Sequence, residues 1–375
     1  MSGLRGPDSS RDAQLLDNAV FPETVDVNIR QLDPIPAPRY FLKEIPLTDE
    51  MSGLVLKSRQ EIRDVLNGKD DRLLAIVGPC SIHDPKAAHE YAEKLAAVKK
   101  ELEDRLVIVM RVYFEKPRTT IGWKGLINDP DIDGSCNIKK GLLLARRTLL
   151  GVLDAGLAAA TEFLEPTSPQ YISDAVSWGA VGARNTESQV HRQLASGMSM
   201  PIGFKNATDG SIKAPTDSCF ASAQQHTFFG VDHMGRAAVV KTLGNPDCHV
   251  VGKGSPLLAA LVDRGDFNQH DINTEIRTQV DNILAREKVE NLILGCTHYP
   301  IVEENFHECY PEMHLINPAL EQANAVKAYL TEQNALNPQK KGKFVICTSG
   351  DPQVYVNVGK RLGLFEASEL KVVHI

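Results

Sequence analysis

Positively charged residues at the ends of short apolar segments form the most distinctive chemical pattern of this sequence. The five residues are Arg111, Lys116, Arg118, Arg184 and Lys205. Arginine binds phosphate and carboxylate through parallel N–H donors, and lysine adds a compact charge. A single Arg or Lys is usually a solvated surface charge. If the fold brings these residues together, however, they indicate a site for two phosphate groups and a carboxylate.

The overall charge of the chain has the opposite sign. The formal net charge is −7 and the pI is about 5.9, which argues against a nucleic-acid partner or an anionic membrane surface. The sequence begins without the apolar core of a signal peptide, and apolar runs such as Leu106–Met110 are too short to cross a bilayer. We therefore expect a cytoplasmic protein that concentrates its positive charge locally.

The 7 cysteines are widely spaced, and no two of them form a C-x-x-C pair. An odd number argues against a disulfide framework, and the spacing argues against a structural zinc site. A functional cysteine would then act as a single thiolate. Cys80, which follows Gly78-Pro79, is either a small buried apolar side chain or a metal ligand.

Strand and helix signals alternate from Leu73 onward. The predicted strands are Leu73–Val77, Leu106–Val112, Ala158–Phe163, Ala180–Ala183, Pro201–Lys205 and Thr227–Val231. Helical spacing occurs between strands over Lys86–Glu103 and Gly141–Ala155. Such alternation predicts parallel strands with crossover helices. Polar residues at the strand ends favour an α/β (β/α)8 TIM-type barrel, because barrel catalytic groups lie at the C-terminal ends of the strands.

A series of motifs between about Asp70 and Val251 contains the charged residues. The motifs are GPCSIHDP, MRVYFEKPRTT, GWKGLINDP, SPQY, WGAVGAR, TESQVHR, LASGMSMPIGFKN and GNPDCHV. In order and spacing they resemble the metal-dependent class I 3-deoxy-D-arabino-heptulosonate-7-phosphate (DAHP) synthases. The resemblance implies a (β/α)8 barrel that condenses phosphoenolpyruvate with erythrose 4-phosphate, the first step of the shikimate pathway of aromatic amino acid biosynthesis.

The resemblance also implies roles for individual residues. Phosphoenolpyruvate would be held by Arg111, Lys116, Arg184 and Lys205, with Glu162, Gly182 and Ala183 lining the same site. The second sugar phosphate would be bound by Lys116, Pro117, Arg118 and Thr119. Cys80 would be one ligand of a divalent metal such as manganese, iron or cobalt, acting on the aldehyde or on water. An aromatic amino-acid effector would bind near Pro169, Gln170, Gly197 and Ser199, and we expect a homo-oligomer.

The family pattern ends after Val251. Lys253 stands where the family has an arginine that also binds phosphate, and the motifs that supply a His, a Glu and an Asp metal ligand are not found. Catalytic metal sites generally use about three protein ligands. We therefore expect Cys80 alone to hold a metal poorly and the activity to be reduced.

The remaining residues resemble the C-terminal half of glutamate racemase. The motifs are SPLLAALVDRG, LILGCTHYP, LINP and CTSGD. The resemblance implies that Cys296 is one of two thiol acid/bases, that Thr297 binds substrate and that His298 tunes the thiol. The Cys-Asn-Thr segment that supplies the second thiol is not found, so Cys296 is either a working base or an idle remnant.

The sequence thus predicts an apparent chimera of three regions: an irregular arm over 1–50, a barrel portion over 51–251 that is incomplete after the sixth strand, and a parallel α/β racemase-like portion over 252–375. The elements predicted in the last region are strands Asn291–Gly295, His314–Asn317 and Lys343–Cys347, helices capped by Asp271 and Asn317, and a helix starting at Asp351-Pro352. One hypothesis is that the first two of these strands fill the seventh and eighth barrel positions.

Three alternatives for function remain open at this point. The first is a DAHP synthase in which Lys116 takes part in catalysis. The second is a racemase-like amino-acid isomerase that uses Cys296. The third is a chimera that binds phosphate ligands without activity.

Overall fold

The computed structural model describes residues 27–118, 122–206, 212–251, 255–263, 265, 267–285, 289–296 and 298–336, with the backbone only for 256, 259, 260, 263, 345–348 and 371–374. The helices are α1 (Pro38–Glu44), α2 (Asp49–Leu66), α3 (Pro85–Leu102), α4 (Ile138–Asp154), α5 (Pro169–Ile172), α6 (Gln189–Ser196), α7 (Lys213–Ser222), α8 (Pro256–Asp263), α9 (Gln269–Leu284), α10 (Glu303–Cys309) and α11 (Pro318–Glu332). The strands are β1 (Leu73–Val77), β2 (Leu106–Arg111), β3 (Ala158–Phe163), β4 (Trp178–Val181), β5 (Ile202–Lys205), β6 (Thr227–Val231), β7 (Ala237–Lys241), β8 (Cys248–Val251), β9 (Asn291–Ile293), β10 (His314–Ile316), β11 (Val345–Thr348) and β12 (Lys371–His374).

Six parallel strands form the main sheet in the order β1-β2-β3-β4-β5-β8. Strands β2, β3 and β4 are buried along nearly their whole length, as expected for parallel strands that are covered on both faces. Crossover helices connect most successive strands, so the C-terminal strand ends lie along one edge. The sheet is an α/β, curled half-barrel arrangement that corresponds to part of a TIM-type barrel.

The two faces of the sheet carry separate apolar clusters. Val107, Val109 and Ala160 pack with Trp178 of β4 and with Ile62 of helix α2. The intervening strand residues pack against helices α3 and α4 on the other side. Because side chains alternate along a strand, the series Val107, Val109 continues to Arg111 on the face of the α2 cluster. Arg111 thus faces the interior of the partial barrel, whereas Phe163 and Val181, the last residues of β3 and β4, belong to the cluster on the face of α3 and α4.

The prediction that Thr227–Val231 is a barrel strand is wrong. This strand pairs with β7 in an antiparallel hairpin, and β8 is the sixth strand of the main sheet. Residues along β6 and β7 alternate between exposed and partly buried, which is typical of an antiparallel ribbon with one solvated face. The Asp232 carboxylate closes the turn by accepting hydrogen bonds from Met234 N and Arg236 N.

The residues after β8 form an apolar cluster of their own around Ile272, Ile276 and Val280 of helix α9. Strands β9 and β10 pair in parallel with each other, and neither belongs to the six-stranded sheet. Their apolar residues Leu292 and Leu315 pack against the α9 cluster instead. The hypothesis that these two strands fill the seventh and eighth barrel positions is therefore wrong.

The helix caps of this part agree with the prediction in one of two cases. The Asn317 side chain accepts hydrogen bonds from Ala319 N and Leu320 N, as predicted. Helix α9, however, is capped by Asn268, and Asp271 lies in its first turn. The helix predicted from Asp351 lies outside the described residues.

A helix, α1, lies within the segment that was predicted to be irregular. Its end is fixed by the fully buried Arg146, whose Nε donates to the Ile45 carbonyl oxygen at 2.6 Å and whose Nη1 contacts Asp174 at 2.7 Å. Helix α2 then begins after Thr48, whose hydroxyl accepts a hydrogen bond from Met51 N.

Across the part of the chain that the structure describes, no helix has both the length and the apolar character needed to cross a membrane.

Candidate active site

Charged and polar residues converge on the C-terminal edge of the six-stranded sheet. Arg111 and Lys205 are the last residues of β2 and β5, and Glu162 is the penultimate residue of β3. Gly182 directly follows β4, and Cys80 lies in the loop after β1. Because the strands are parallel, these positions share one mouth of the partial barrel.

Lys116 and Arg111 hold the loop that carries Cys80. The Lys116 ammonium donates to Cys80 Sγ at 2.9 Å, and Arg111 Nη2 donates to the Cys80 carbonyl oxygen at 3.2 Å. Gly78 permits this approach, since a Cβ at that position would lie 2.8 Å from the Arg111 carbonyl oxygen. The hydrogen bond from Lys116, helped by the charges of Arg111 and Arg118, lowers the pKa of the Cys80 thiol. The sulfur therefore has more thiolate character than that of an ordinary cysteine.

The ring of Tyr113 contacts two of the cations. The guanidinium carbon of Arg111 lies 3.9 Å from the ring centroid, and Lys205 Nζ lies 5.2 Å from it. Lys205 also forms an ion pair with Glu162 at 2.6 Å. Burial raises the pKa of Tyr113 to about 12, so its phenol is neutral at physiological pH.

A cavity of about 190 Å³ opens beside Lys205. It is lined by Pro117, Glu162, Leu164, Gly182, Ala183, Arg184, Asn185 and Lys205. The Thr186 hydroxyl lies 3.1 Å from the Gly182 carbonyl oxygen and 3.0 Å from that of Lys205, which ties the ends of β4 and β5 together. Pockets for drug-sized ligands have volumes of about 300 Å³ or more. This cavity therefore suits a small acid.

The structure places most of the predicted site residues around this mouth. They are Cys80, Arg111, Lys116, Pro117, Arg118, Glu162, Gly182, Ala183, Arg184 and Lys205. Thr119 and Lys253 lie outside the described residues. Cys296 does not line the cavity. It follows β9, and its Sγ lies 3.4 Å from His298 Nδ1.

The surroundings of Cys80 do not fit a metal centre. Within the described ranges, no group of three or more His, Cys, Asp or Glu side chains is arranged to hold a metal ion. The thiol has the Lys116 ammonium as its hydrogen-bond partner, and that positive charge competes with a metal ion for the sulfur. Since catalytic sites use about three protein ligands, the described donors supply only one part of such a site.

One buried carboxyl group of this region was not found from the sequence. Glu115 is 5% exposed, and Ser168 Oγ donates to its Oε2 at 3.1 Å. Burial raises the pKa of Glu115 to about 7, although the bond from Ser168 acts in the opposite direction. In the sequence Glu115 is only a charged residue between Tyr113 and Lys116, and a charged side chain is expected to reach solvent. The sequence therefore gives no indication that this carboxyl group is buried.

A second cavity, of about 580 Å³, lies between helices α5 and α6 and the β6–β7 hairpin. Its lining includes Pro169, Gln170 and Gly197, which were predicted as part of an effector site. Ser199 is not part of the lining, and its carbonyl oxygen accepts a hydrogen bond from helix α2 instead. Gln170 Nε2 donates to the Val231 carbonyl oxygen at 2.9 Å, which links helix α5 to the hairpin.

Comparisons with known proteins agree with this arrangement. The sequence model described as the DAHP synthetase I family matches residues 44–257. The Phe-sensitive phospho-2-dehydro-3-deoxyheptonate aldolase of Escherichia coli (strain K12) is 53% identical over 229 residues, which are 61% of this chain and 65% of that relative. The Tyr-sensitive enzyme of the same strain is 50% identical over 305 residues, which cover 76% of this chain and 85% of that relative.

A solved structure is also similar to the chain. The phospho-2-dehydro-3-deoxyheptonate aldolase of Francisella tularensis SCHU S4 aligns with a TM-score of 0.62 and 39% identity, over 76% of this chain and 81% of that one. This alignment, like the match to the Tyr-sensitive enzyme, covers more of the chain than the family model does.

The fold and the site define an α/β protein of the TIM-barrel type with a cationic mouth at the carboxyl edge of its sheet. The chain belongs to the DAHP synthetase I family. It spans 65% of the length of the Phe-sensitive relative and 60% of a relative from Corynebacterium glutamicum. The racemase resemblance of the C-terminal residues gains no support from these comparisons.

Proposed function

We propose that this chain condenses phosphoenolpyruvate with erythrose 4-phosphate to form DAHP, the first step of the shikimate pathway. The observation that carries the proposal is the convergence of Arg111, Lys116, Arg184 and Lys205 on one mouth of the sheet. Family membership supports it, since the relatives are named phospho-2-dehydro-3-deoxyheptonate aldolases.

Arg111, Arg184 and Lys205 suit the phosphate and carboxylate of phosphoenolpyruvate. The buried Arg111 Nε has no hydrogen-bond partner among the described residues. A buried donor without a partner is costly, so an anion oxygen placed there would satisfy it. Arg184 and Lys205 line the adjoining cavity with Gly182 and Ala183. Lys205 would turn from Glu162 towards the ligand, or bridge both.

Lys116 would bind the second substrate. With Pro117, Arg118 and Thr119 it would receive the phosphate of erythrose 4-phosphate, as the family resemblance implies. The ammonium of Lys116 also carries a proton that it can give to the aldehyde oxygen as the C2–C3 π electrons of phosphoenolpyruvate form the bond from C3 to the aldehyde carbon. A water oxygen then adds to the electron-deficient C2, the protons of the water pass to solvent, and the C2–O bond to phosphate breaks. Inorganic phosphate is released and C2 becomes the ketone carbon of DAHP. Lys116 thus has both a binding and a catalytic role.

A divalent metal ion is what family membership implies, and Cys80 is the residue that would contribute a ligand to it. When bound, such an ion supplies Lewis-acid chemistry at an oxygen. Because the described donors around Cys80 do not fit a metal centre, we assign no step to the ion. We expect activity below that of a relative with a complete ligand set, and the choice among manganese, iron and cobalt stays a proposal.

Phosphate release from phosphoenolpyruvate in the presence of erythrose 4-phosphate and added manganese tests the proposed activity. We expect release only when both substrates are present. Lys205→Met should lower kcat/KM about 10- to 100-fold, because it removes a charge-assisted contact. Lys86→Met, at an exposed position of helix α3, is the matched control and should act like wild type. No release by wild type, together with no calorimetric binding of phosphoenolpyruvate, would refute the proposal.

We further propose that the cavity of about 580 Å³ binds an aromatic amino acid. Its apolar hairpin wall suits a ring, and the names Phe-sensitive and Tyr-sensitive given to relatives support a regulatory role. Inhibition assays with phenylalanine, tyrosine and tryptophan would identify the effector. A homo-oligomer and a cytoplasmic location are also proposals, which sedimentation velocity and cell fractionation would test.

A racemase-like isomerase is the lesser candidate. It is favoured by the contact of Cys296 with His298. Cys309, the other cysteine of this part whose side chain is described, is buried, and its Sγ contacts the Asn273 carbonyl oxygen at 3.8 Å, so it does not offer a second acid/base at the same site. Unchanged optical rotation of L-glutamate after long incubation would remove this candidate.

A further inference from the structure

Two cations of the mouth share one aromatic neighbour. Arg111 and Lys205 lie on different strands, yet both contact the ring of Tyr113, at 3.9 Å and 5.2 Å from its centroid. Tyr113 is only 6% exposed, so water screens these contacts little. An aromatic face attracts cations through its quadrupole, and the attraction grows when water is excluded.

Other contacts of these cations leave room for movement. Among the described residues, the Arg111 side chain has one hydrogen bond, from Nη2 to the Cys80 carbonyl oxygen, and its buried Nε has no partner. The Lys205 ammonium lies at the end of a long side chain and donates a hydrogen bond to the Glu162 carboxylate. Without a shared neighbour, like charges would repel each other and spread apart. The ring therefore opposes the repulsion that would otherwise separate two groups required at the same ligand.

We propose that Tyr113 is a positioning residue, whose ring face holds Arg111 and Lys205 together so that both reach the same phosphoenolpyruvate anion. The inference rests on the proposed function. It assigns the effect to the aromatic face and not to the hydroxyl, and it places Tyr113 behind the cations and not in contact with the reacting atoms.

The backbone around Tyr113 makes the ring a fixed support. Its carbonyl oxygen accepts a hydrogen bond from Ile82 N at 2.8 Å, which joins the segment after β2 to the loop after β1. The phenol is neutral, as its raised pKa of about 12 indicates. The ring can thus stay beside two cations without a charge of its own, and a ring without the hydroxyl should serve equally well.

Calorimetric titration of the full chain with phosphoenolpyruvate tests the proposal. Tyr113→Phe should change Kd less than twofold, and Tyr113→Leu should weaken binding about tenfold, with KM for phosphoenolpyruvate rising more than kcat falls. Tyr310→Leu is the matched control, because it also removes a ring that lies beside an arginine. The guanidinium carbon of Arg277 is 6.0 Å from the centroid of the Tyr310 ring, which lies near helix α9 and not at the mouth. This control should leave Kd unchanged.

A series of fluorinated phenylalanines at position 113 tests the role of the aromatic face even if Tyr113→Leu folds poorly. Added fluorine weakens the negative face of the ring while nearly preserving its shape, so Kd should rise stepwise at constant melting temperature. A constant Kd across the series, with wild type binding normally, would overturn the role of Tyr113 and leave the proposed function standing. Absence of binding in wild type would instead overturn both.

Discussion

Replacement of Glu115 by glutamine should remove one large contribution to the pH dependence of the protein's stability. Glu115 is 5% exposed, and burial raises its pKa from 4.5 to about 7. The folded protein therefore keeps this carboxyl protonated up to about pH 7, whereas the unfolded chain loses the proton near pH 4.5. The stabilisation from the buried neutral acid is fully present below pH 4.5 and is lost as pH rises through about 7.

The size of the effect follows from the difference between the two pKa values. Each pKa unit corresponds to about 1.4 kcal/mol, so the ionisation of Glu115 lowers the unfolding free energy of wild type by about 3 kcal/mol over this range. Glu115→Gln keeps an oxygen that can accept the Ser168 hydrogen bond and cannot ionise. It should match wild type near pH 4.5 and be about 3 kcal/mol more stable at pH 8.

Urea denaturation followed by tryptophan fluorescence measures this difference, because the chain has 2 tryptophans and both Trp123 and Trp178 pack against the main-sheet clusters. Curves should be taken at several pH values between 4.5 and 8. Glu90→Gln, at an exposed position of helix α3, is the control and should follow wild type. A difference between Glu115→Gln and wild type that is the same at every pH would refute the reasoning.

Three further changes should have distinct effects. Arg146→Met removes the buried donor of the Ile45 and Tyr171 carbonyl oxygens and the partner of Asp174, and should lower the unfolding free energy by about 3 kcal/mol in urea denaturation; a loss below 1 kcal/mol would contradict this. Gly78→Ala would place a Cβ 2.8 Å from the Arg111 carbonyl oxygen and should weaken phosphoenolpyruvate binding about tenfold by calorimetry; unchanged affinity would show that the loop after β1 adjusts freely. Asn268→Ala removes the cap of helix α9 and should cost about 1 kcal/mol by urea denaturation, with no change in phosphoenolpyruvate affinity.

The sequence indicated those parts of the molecule that depend on local pattern. Leu73–Val77 and Ala158–Phe163 have the predicted bounds, because each is a short, mainly apolar segment that is clearly separated from the longer helical stretches around it. Arg111 and Lys205 were predicted at strand ends for the same reason. Their meeting depends only on the strands being parallel, which the strand–helix alternation already implies.

The failures involve information that is not local. Thr227–Val231 looks like any apolar strand, and only the turn at Asp232 with β7 as partner makes it half of a hairpin. Asp271 and Asn268 are both good helix caps, and the choice depends on where the chain enters helix α9. The raised pKa of Glu115 arises from burial by segments distant in sequence, such as the one that carries Ser168.

The β6–β7 hairpin forms one wall of the larger cavity, and among the described strands it pairs only within itself. Such a hairpin can open and close as a small cooperative unit while every hydrogen bond between strands of the main sheet stays intact. A molecule bound to the closed hairpin would lower the population of the open form by mass action, and it would do so more strongly the higher its affinity. Protection of the backbone amides of β6 and β7 would then report whether the cavity holds a ligand. The strands that carry the cations would keep their register throughout.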